Sequence, residues 1–388
     1  MTIWTFGALA AGLAALVWGA DLLVKGAAST ATRFGIAPVI VGLTVVAFGT
    51  SAPELAVSVS AALGDTTDVA LGNVVGSNTA NVLLILGLSA VVGGLSVQMR
   101  IIRLDIPIVV GVSVAAYLLA FDREIGRLDG AALFLIVVLY TVWLVRAARR
   151  GDDPDAGSID VGGIDADDLV EELEELQELD EAIVDRPVPV LLLYIVVGLA
   201  TLVVGSQLLV GSATDIAEHF GVSELVIGLT IVSVGTSLPE LATSVMAVRR
   251  GERDIAVGNV IGSNLFNLTT VLGLTGLVAP EGIPVDDAAI RLDFPVMLAA
   301  TVALVPIIWN NFEIKRWEGM VLFGFYAAYV GFLVLEAGDH GAADVFGPAM
   351  LIAVPLVLLT FSVTGYRGWR RWVEQHQAVR FDRRTPSA

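Results

Sequence analysis

Two glutamates stand inside hydrophobic runs, each closing the same pattern, Gly-Thr-Ser-x-Pro-Glu. The residues are Gly49, Thr50, Ser51, Pro53 and Glu54, and again Gly235, Thr236, Ser237, Pro239 and Glu240. A carboxylate at membrane depth is costly and marks an ion pathway or a counter-ion. Neither motif contains Lys or Arg, so the partner that neutralises the glutamate is most simply a metal cation. Gly and Pro four residues apart interrupt the helical hydrogen-bond ladder. Irregular backbone at that depth survives only where it is buried in protein or lines a wet cavity. The pattern therefore predicts a broken helix whose carbonyls, around Ala47 to Thr50 and Ser233 to Thr236, become ligands.

The next run of each half carries Gly-Asn-Val-x-Gly-Ser-Asn-x-x-Asn: Gly72, Asn73, Gly76, Ser77, Asn78 and Asn81, then Gly258, Asn259, Gly262, Ser263, Asn264 and Asn267. Residues 73, 77 and 81 share one helical face, as do 259, 263 and 267. The glycines are read as helix-packing positions, and Asn73, Asn78, Asn259 and Asn264 as braces for broken backbone. Ser77, Asn81, Ser263 and Asn267 are read as ligands facing the glutamate-bearing helix. The donors are all oxygens, which suits Ca2+ or Na+. Zinc or copper would call for His or Cys, and the chain has three scattered His and no Cys. No nucleophile and base accompany the glutamates, so an enzyme is not expected, and neither is a cofactor.

These motifs need helices in a bilayer to hold them. Of 388 residues, 56% are hydrophobic and only 16% charged, well below the quarter typical of soluble domains. Eleven runs are long enough to cross a membrane, near 3–27, 36–63, 68–93, 104–121, 128–146, 188–212, 222–249, 254–279, 291–309, 316–336 and 346–366. The first lacks a basic leader and a cleavage site and is expected to be a retained helix. The net charge of −18 does not mark a soluble acidic protein, because residues 151–186 hold 15 acids against one Arg. No basic patch suggests nucleic acid. The scarcity of Lys, only Lys25 and Lys315, together with the acidic loop fits either a salt-adapted host or a codon bias.

Residues 42–90 align without a gap to 228–276, with 26 of 49 positions identical at an offset of 186. The match extends to Phe34-Gly35 with Phe220-Gly221, to Arg103-Leu104-Asp105 with Arg291-Leu292-Asp293, and to Glu124-Ile125 with Glu313-Ile314. Each repeat thus holds five spans, and an odd number forces the second copy to enter the membrane upside down. Basic residues test this, since they collect on the cytoplasmic side. With the N-terminus outside, 19 Lys and Arg fall inside and only Arg123, Arg127 and Arg291 outside.

The expected organisation is a polytopic all-α membrane protein. It comprises a five-helix repeat over 1–146, an acidic cytoplasmic linker over 147–187, an inverted five-helix repeat over 188–336, and an eleventh transmembrane helix with an Arg-rich cytoplasmic tail over 337–388. In the linker, Leu169, Leu173, Leu176, Leu179 and Ile183 follow helical spacing and predict a short amphipathic helix. The stretch Asp153-Pro-Asp155-Ala-Gly157 lacks the ligand pattern of an EF-hand loop.

Discontinuous helices meeting at the midplane of inverted repeats suit alternating access. The paired motifs resemble the two alpha repeats of the cation/calcium antiporter superfamily, most closely its prokaryotic Na+/Ca2+ exchangers, over residues 3 to 336. The resemblance implies a ten-helix core in which the first and sixth spans slide across an ion site. Glu54 and Glu240 would hold Ca2+ with the carbonyls of Thr50 and Thr236. Ser51, Ser237, Ser77, Ser263, Ala47 and Ser233 would help hold Na+, and Asn81 matches an amide position. Asn267 departs from relatives that carry Asp there, leaving two carboxylates. Gly-Thr-Ser-x-Pro-Glu disfavours the H+/Ca2+ branch, which shows Gly-Asn-Ala-x-Glu.

The expected activity is antiport of Na+ against Ca2+ at the cell membrane, expelling Ca2+. H+- or K+-coupled Ca2+ exchange and, from another class, a passive cation channel are the alternatives. The partners expected are the two ions as substrates and the lipid bilayer.

Overall fold

A computed structural model describes residues 3–35, 38–64, 67–150, 186–219, 233–310, 312–337, 342, 354–368 and 370. The linker with its expected helix, residues 222–232 of the seventh run, 346–353 of the eleventh and most of the Arg-rich tail lie outside them.

Two helices of 32 residues, α1 (Ile3–Phe34) and α7 (Val188–His219), pack along most of their length. A Cβ on Gly12 would stand 2.9 Å from Gly205 O, and one on Gly19 would stand 2.9 Å from Gly198 O. Gly26 similarly abuts Leu191 and Ile195. Rising numbers on one helix meet falling numbers on the other, so the pair is antiparallel. The seven-residue glycine spacing brings the backbones closer than any side chain permits.

The second run is broken as expected. Helix α2 (Val39–Thr50) and α3 (Ala52–Leu63) meet at 41°, with Ser51 at φ −80°, ψ 2° and Pro53 in the first turn of α3. In the second half, α8 (Ser233–Gly235) is followed by α9 (Leu238–Arg249), with Ser237 at φ −88°, ψ 7° and Pro239 in the equivalent place. Proline fits there because first-turn N–H groups have no helical acceptor.

The centre is formed by α4 (Val69–Gly93) and α10 (Arg253–Val278). Their most apolar stretches are 83% and 100% buried, against 33% for α1 and 28% for α7. Around them stand α5 (Ile101–Asp122), α6 (Arg127–Arg150), α11 (Ala289–Ile308) and α12 (Arg316–Ala337). Among the described residues eight helices are long and apolar enough to cross a membrane, nine with the bent pair. Residues 354–368 form a further helix, α13, whose Gly365 and Gly368 lie against Pro306, Trp309 and Asn310 at the end of α11.

The protein is not wholly helical. β1 (Leu95–Ser96) pairs antiparallel with β4 (Glu313–Ile314), and β2 (Glu124–Ile125) with β3 (Ile283–Pro284). Segments that align with each other in the two halves therefore exchange partners. Single π-helical turns over Asn81–Leu86 and Asn267–Val271 open at the last motif asparagine of each half. Such turns shift the helical phase and recur at functional sites.

Candidate ion-binding site

The glutamates lie in the first turns of α3 and α9, where the positive end of the helix dipole favours a carboxylate. Both are completely buried. Each is completed by the opposite half. Ser51 Oγ donates to Glu240 Oε1 at 3.4 Å, and Ser237 Oγ donates to Glu54 Oε1 at 3.3 Å.

The threonines before the breaks are tied across the same boundary. Thr50 Oγ1 donates to Asn259 Oδ1 at 3.2 Å, and Thr236 Oγ1 to Asn73 Oδ1 at 3.3 Å. Asn73 Nδ2 in turn reaches Glu54 O at 3.1 Å and Ser58 Oγ at 2.9 Å. Asn259 Nδ2 reaches Glu240 O at 3.4 Å and Ser244 Oγ at 3.0 Å. The two asparagines thus brace the broken backbone, as their positions suggested. Ser58 and Ser244 escaped the motif reading although they are identical in the repeat, the signal that would have found them.

Asn81 and Asn264 play a different part. Asn81 Nδ2 donates to Asn264 Oδ1 at 3.0 Å, so the Asn264 amide links the halves instead of holding backbone. Asn78 Nδ2 does serve its own helix, donating to Val74 O at 2.8 Å. The π-turn that begins at Asn81 packs on α9, and the one at Asn267 packs on α3. Each amide is thereby brought to the helix that carries the other half's glutamate.

Buried polar atoms ordinarily find partners. Among the described residues, those that do not include Glu54 Oε2, Glu240 Oε2, Ser77 Oγ, Ser263 Oγ, Asn81 Oδ1 and Asn267 Oδ1. These are matched pairs of one carboxylate, one hydroxyl and one amide oxygen from each half. A hard cation accepts such donors.

The Ala47 carbonyl is not released by the break, since it accepts from Ser51 N at 3.0 Å. The helix bends without losing that bond, and the Thr50 hydroxyl also lies within hydrogen-bond reach of Ala47 O at 3.4 Å. Gly235 O is also engaged, accepting from Ser206 Oγ of α7 at 2.5 Å. The backbone of Ser233 is described, its side chain is not. Sequence reading missed the buried, unpartnered hydroxyls of Thr243 and Thr270. The first half has Val57 and Leu84 there, so comparison of the repeats gave no signal.

Membrane-length helices closed around a buried cluster of oxygen donors define a multi-pass membrane transporter. The chain belongs to the sodium/calcium exchanger protein family, whose pattern matches residues 4–146 and 190–335. It is 38% identical over 326 residues to inner membrane protein YrbG of Escherichia coli, covering 84% of this chain and 95% of the relative. It is 33% identical over 346 residues to sodium/calcium exchanger MaX1 of Methanosarcina acetivorans, covering 82% of this chain and 95% of that one. The solved structure of the sodium-calcium exchanger NCX_Mj, soaked with Na+ and Ca2+, superimposes with a TM-score of 0.69 at 27% identity. That match covers 85% of this chain and 99% of the other.

Proposed function

We propose that this protein is a secondary active antiporter that uses inward Na+ movement to expel Ca2+ by alternating access. The observation that carries the reading is the matched set of unpartnered buried oxygens contributed by the two halves. Glu54 and Glu240 hold Ca2+ with the carbonyls of Thr50 and Thr236. Na+ ions share the glutamates and draw on Ser51, Ser237, Ser77, Ser263 and the Ala47 and Ser233 carbonyls, while Asn81 and Asn267 contribute amide oxygens. The two five-helix halves, 1–146 and 188–336, lie inverted in the membrane, with the N-terminus outside and the linker and C-terminus in the cytoplasm. Inversion supports the reading because the same site can then be reached from either face by equivalent movements of equivalent halves. A passive channel has no need of such duplication.

The test is Ca2+ uptake into proteoliposomes driven by an outward Na+ gradient. Uptake is expected only with the gradient, and external Ca2+ should accelerate efflux of labelled Ca2+. Flux that ignores ions on the opposite face would sink the antiport reading.

A further inference from the structure

The two halves differ at a partly buried cluster of charge near the end of α1. Asp21, in the apolar length of α1, accepts from Lys25 Nζ at 2.9 Å and from Arg250 Nε at 2.7 Å, and Arg250 Nη2 reaches the same oxygen as the Nε bond. The side chains are only 22%, 21% and 13% exposed respectively. Arg250 is held firmly at the end of α9: its N–H donates to Met246 O at 3.0 Å, and Gly251 turns the chain at φ 76°. The pair therefore ties α1 to the helix that carries Glu240, at the end of the molecule where Lys25, Arg249, Arg250 and Arg253 gather.

The repeat supplies an internal control. Gly12 and Gly19 align with Gly198 and Gly205, and Leu22-Leu23-Val24 aligns with Leu208-Leu209-Val210, all at the offset of 186. By this alignment Asp21, Lys25 and Arg250 correspond to Gln207, Gly211 and Gly64. The counterparts carry no charge. A two-fold related clasp between α7 and α3 at the other end is therefore chemically impossible.

Resting on the antiport reading above, we propose that Asp21 and Arg250, with Lys25, form a one-sided latch that holds α1 against α9 and favours the state closed to the cytoplasm. The latch must open whenever the α1–α7 pair moves to admit ions from that side. A ligand's apparent affinity from one face scales with the population of the state open to that face. Releasing the latch therefore weakens Ca2+ binding from outside and tightens it from the cytoplasm.

The experiment compares half-saturating Ca2+ for exchange in right-side-out and inside-out vesicles. Taking the ratio for one protein removes any effect of a misfolded fraction. Asp21→Asn and Arg250→Gln should each shift the ratio on the order of tenfold, as expected for a hydrogen-bonded charge pair. The double variant should go no further, and Asp21→Glu should stay near wild type. Affinities that move together on both faces, or a ratio left unmoved by either substitution while the wild type exchanges normally, would overturn the latch alone. A wild type that binds Ca2+ and exchanges nothing would overturn the antiport reading and the latch with it.

Discussion

Ser51 and Glu240 are 189 residues apart in the chain, yet the serine hydroxyl donates to the glutamate Oε1 at 3.4 Å. Each carboxylate is therefore oriented by the break in the other half. A double-mutant cycle on Ca2+ binding should show Ser51→Ala coupled to Glu240→Asp and independent of Glu54→Asp, with a coupling of about 1 kcal/mol. Stronger coupling to Glu54 would contradict the crossed pairing.

Glu54→Gln and Glu240→Gln should each lower Na+-driven Ca2+ uptake at least about a hundredfold, because each removes one of two charges facing a divalent ion. The folded yield should hold, since a neutral amide suits a buried membrane position better than an unpaired carboxylate. Uptake near wild type in either variant would refute the assigned ligands.

Acidification should inhibit exchange, and extra Ca2+ should relieve the inhibition. A metal must displace protons from carboxylate ligands, so raising proton concentration lowers occupancy by Ca2+ at a given Ca2+ level. Initial rates measured as a Ca2+ titration at several pH values decide this. A fall in maximal rate at constant half-saturation would rule out competition.

Along the α1–α7 seam, Gly19→Val and Gly198→Val should destabilise the protein and slow exchange, because overpacking typically costs about 1–3 kcal/mol. Gly7, with nothing within 4 Å of its missing Cβ, should accept Ala with no change. Melting temperature and initial rate of each purified variant provide the comparison.

Two ionised glutamates make a Ca2+-loaded site neutral, a site with two Na+ neutral, and a site with three Na+ positive by one charge. The three-Na+ cycle is expected. Exchange should then respond to voltage, with about 2.3 kcal/mol available per charge per 100 mV. Exchange should also proceed without K+, because neutral Asn267 supplies no third carboxylate to hold that ion. Vesicle uptake at potentials clamped by a K+-independent ionophore, before and after adding K+ symmetrically, measures both. Indifference to potential, or an absolute need for K+, would refute the corresponding claim.

Much of the site was legible because the chain states it twice. Identity at the 186-residue offset singled out Glu54, Ser51, Ser77 and Asn81 with their partners, and proline inside an apolar run located the breaks. Hydrogen-bond choices were less legible. Asn78 and Asn264 occupy equivalent positions, yet one serves its own helix and the other crosses to Asn81. Nor does composition announce that Ala47 O stays bonded through a 41° bend. The π-turns at Asn81 and Asn267 escape periodicity, because one inserted residue shifts the phase without disturbing an all-apolar pattern. The two-residue strands are too short to alternate and are defined only by partners far away in the chain.

Those strands also set the order in which the molecule can be finished. Leu95 pairs with Ile314, and Ile125 with Ile283, so neither edge of the first half has its partner until the second half emerges from the ribosome. Contacts of such sequence separation are slow to form, and a first half made alone carries open backbone edges that invite mispairing. The strand pairs can therefore close only once both halves have been made. The natural place to divide the gene for expression as two complementing fragments is the acidic segment that joins them.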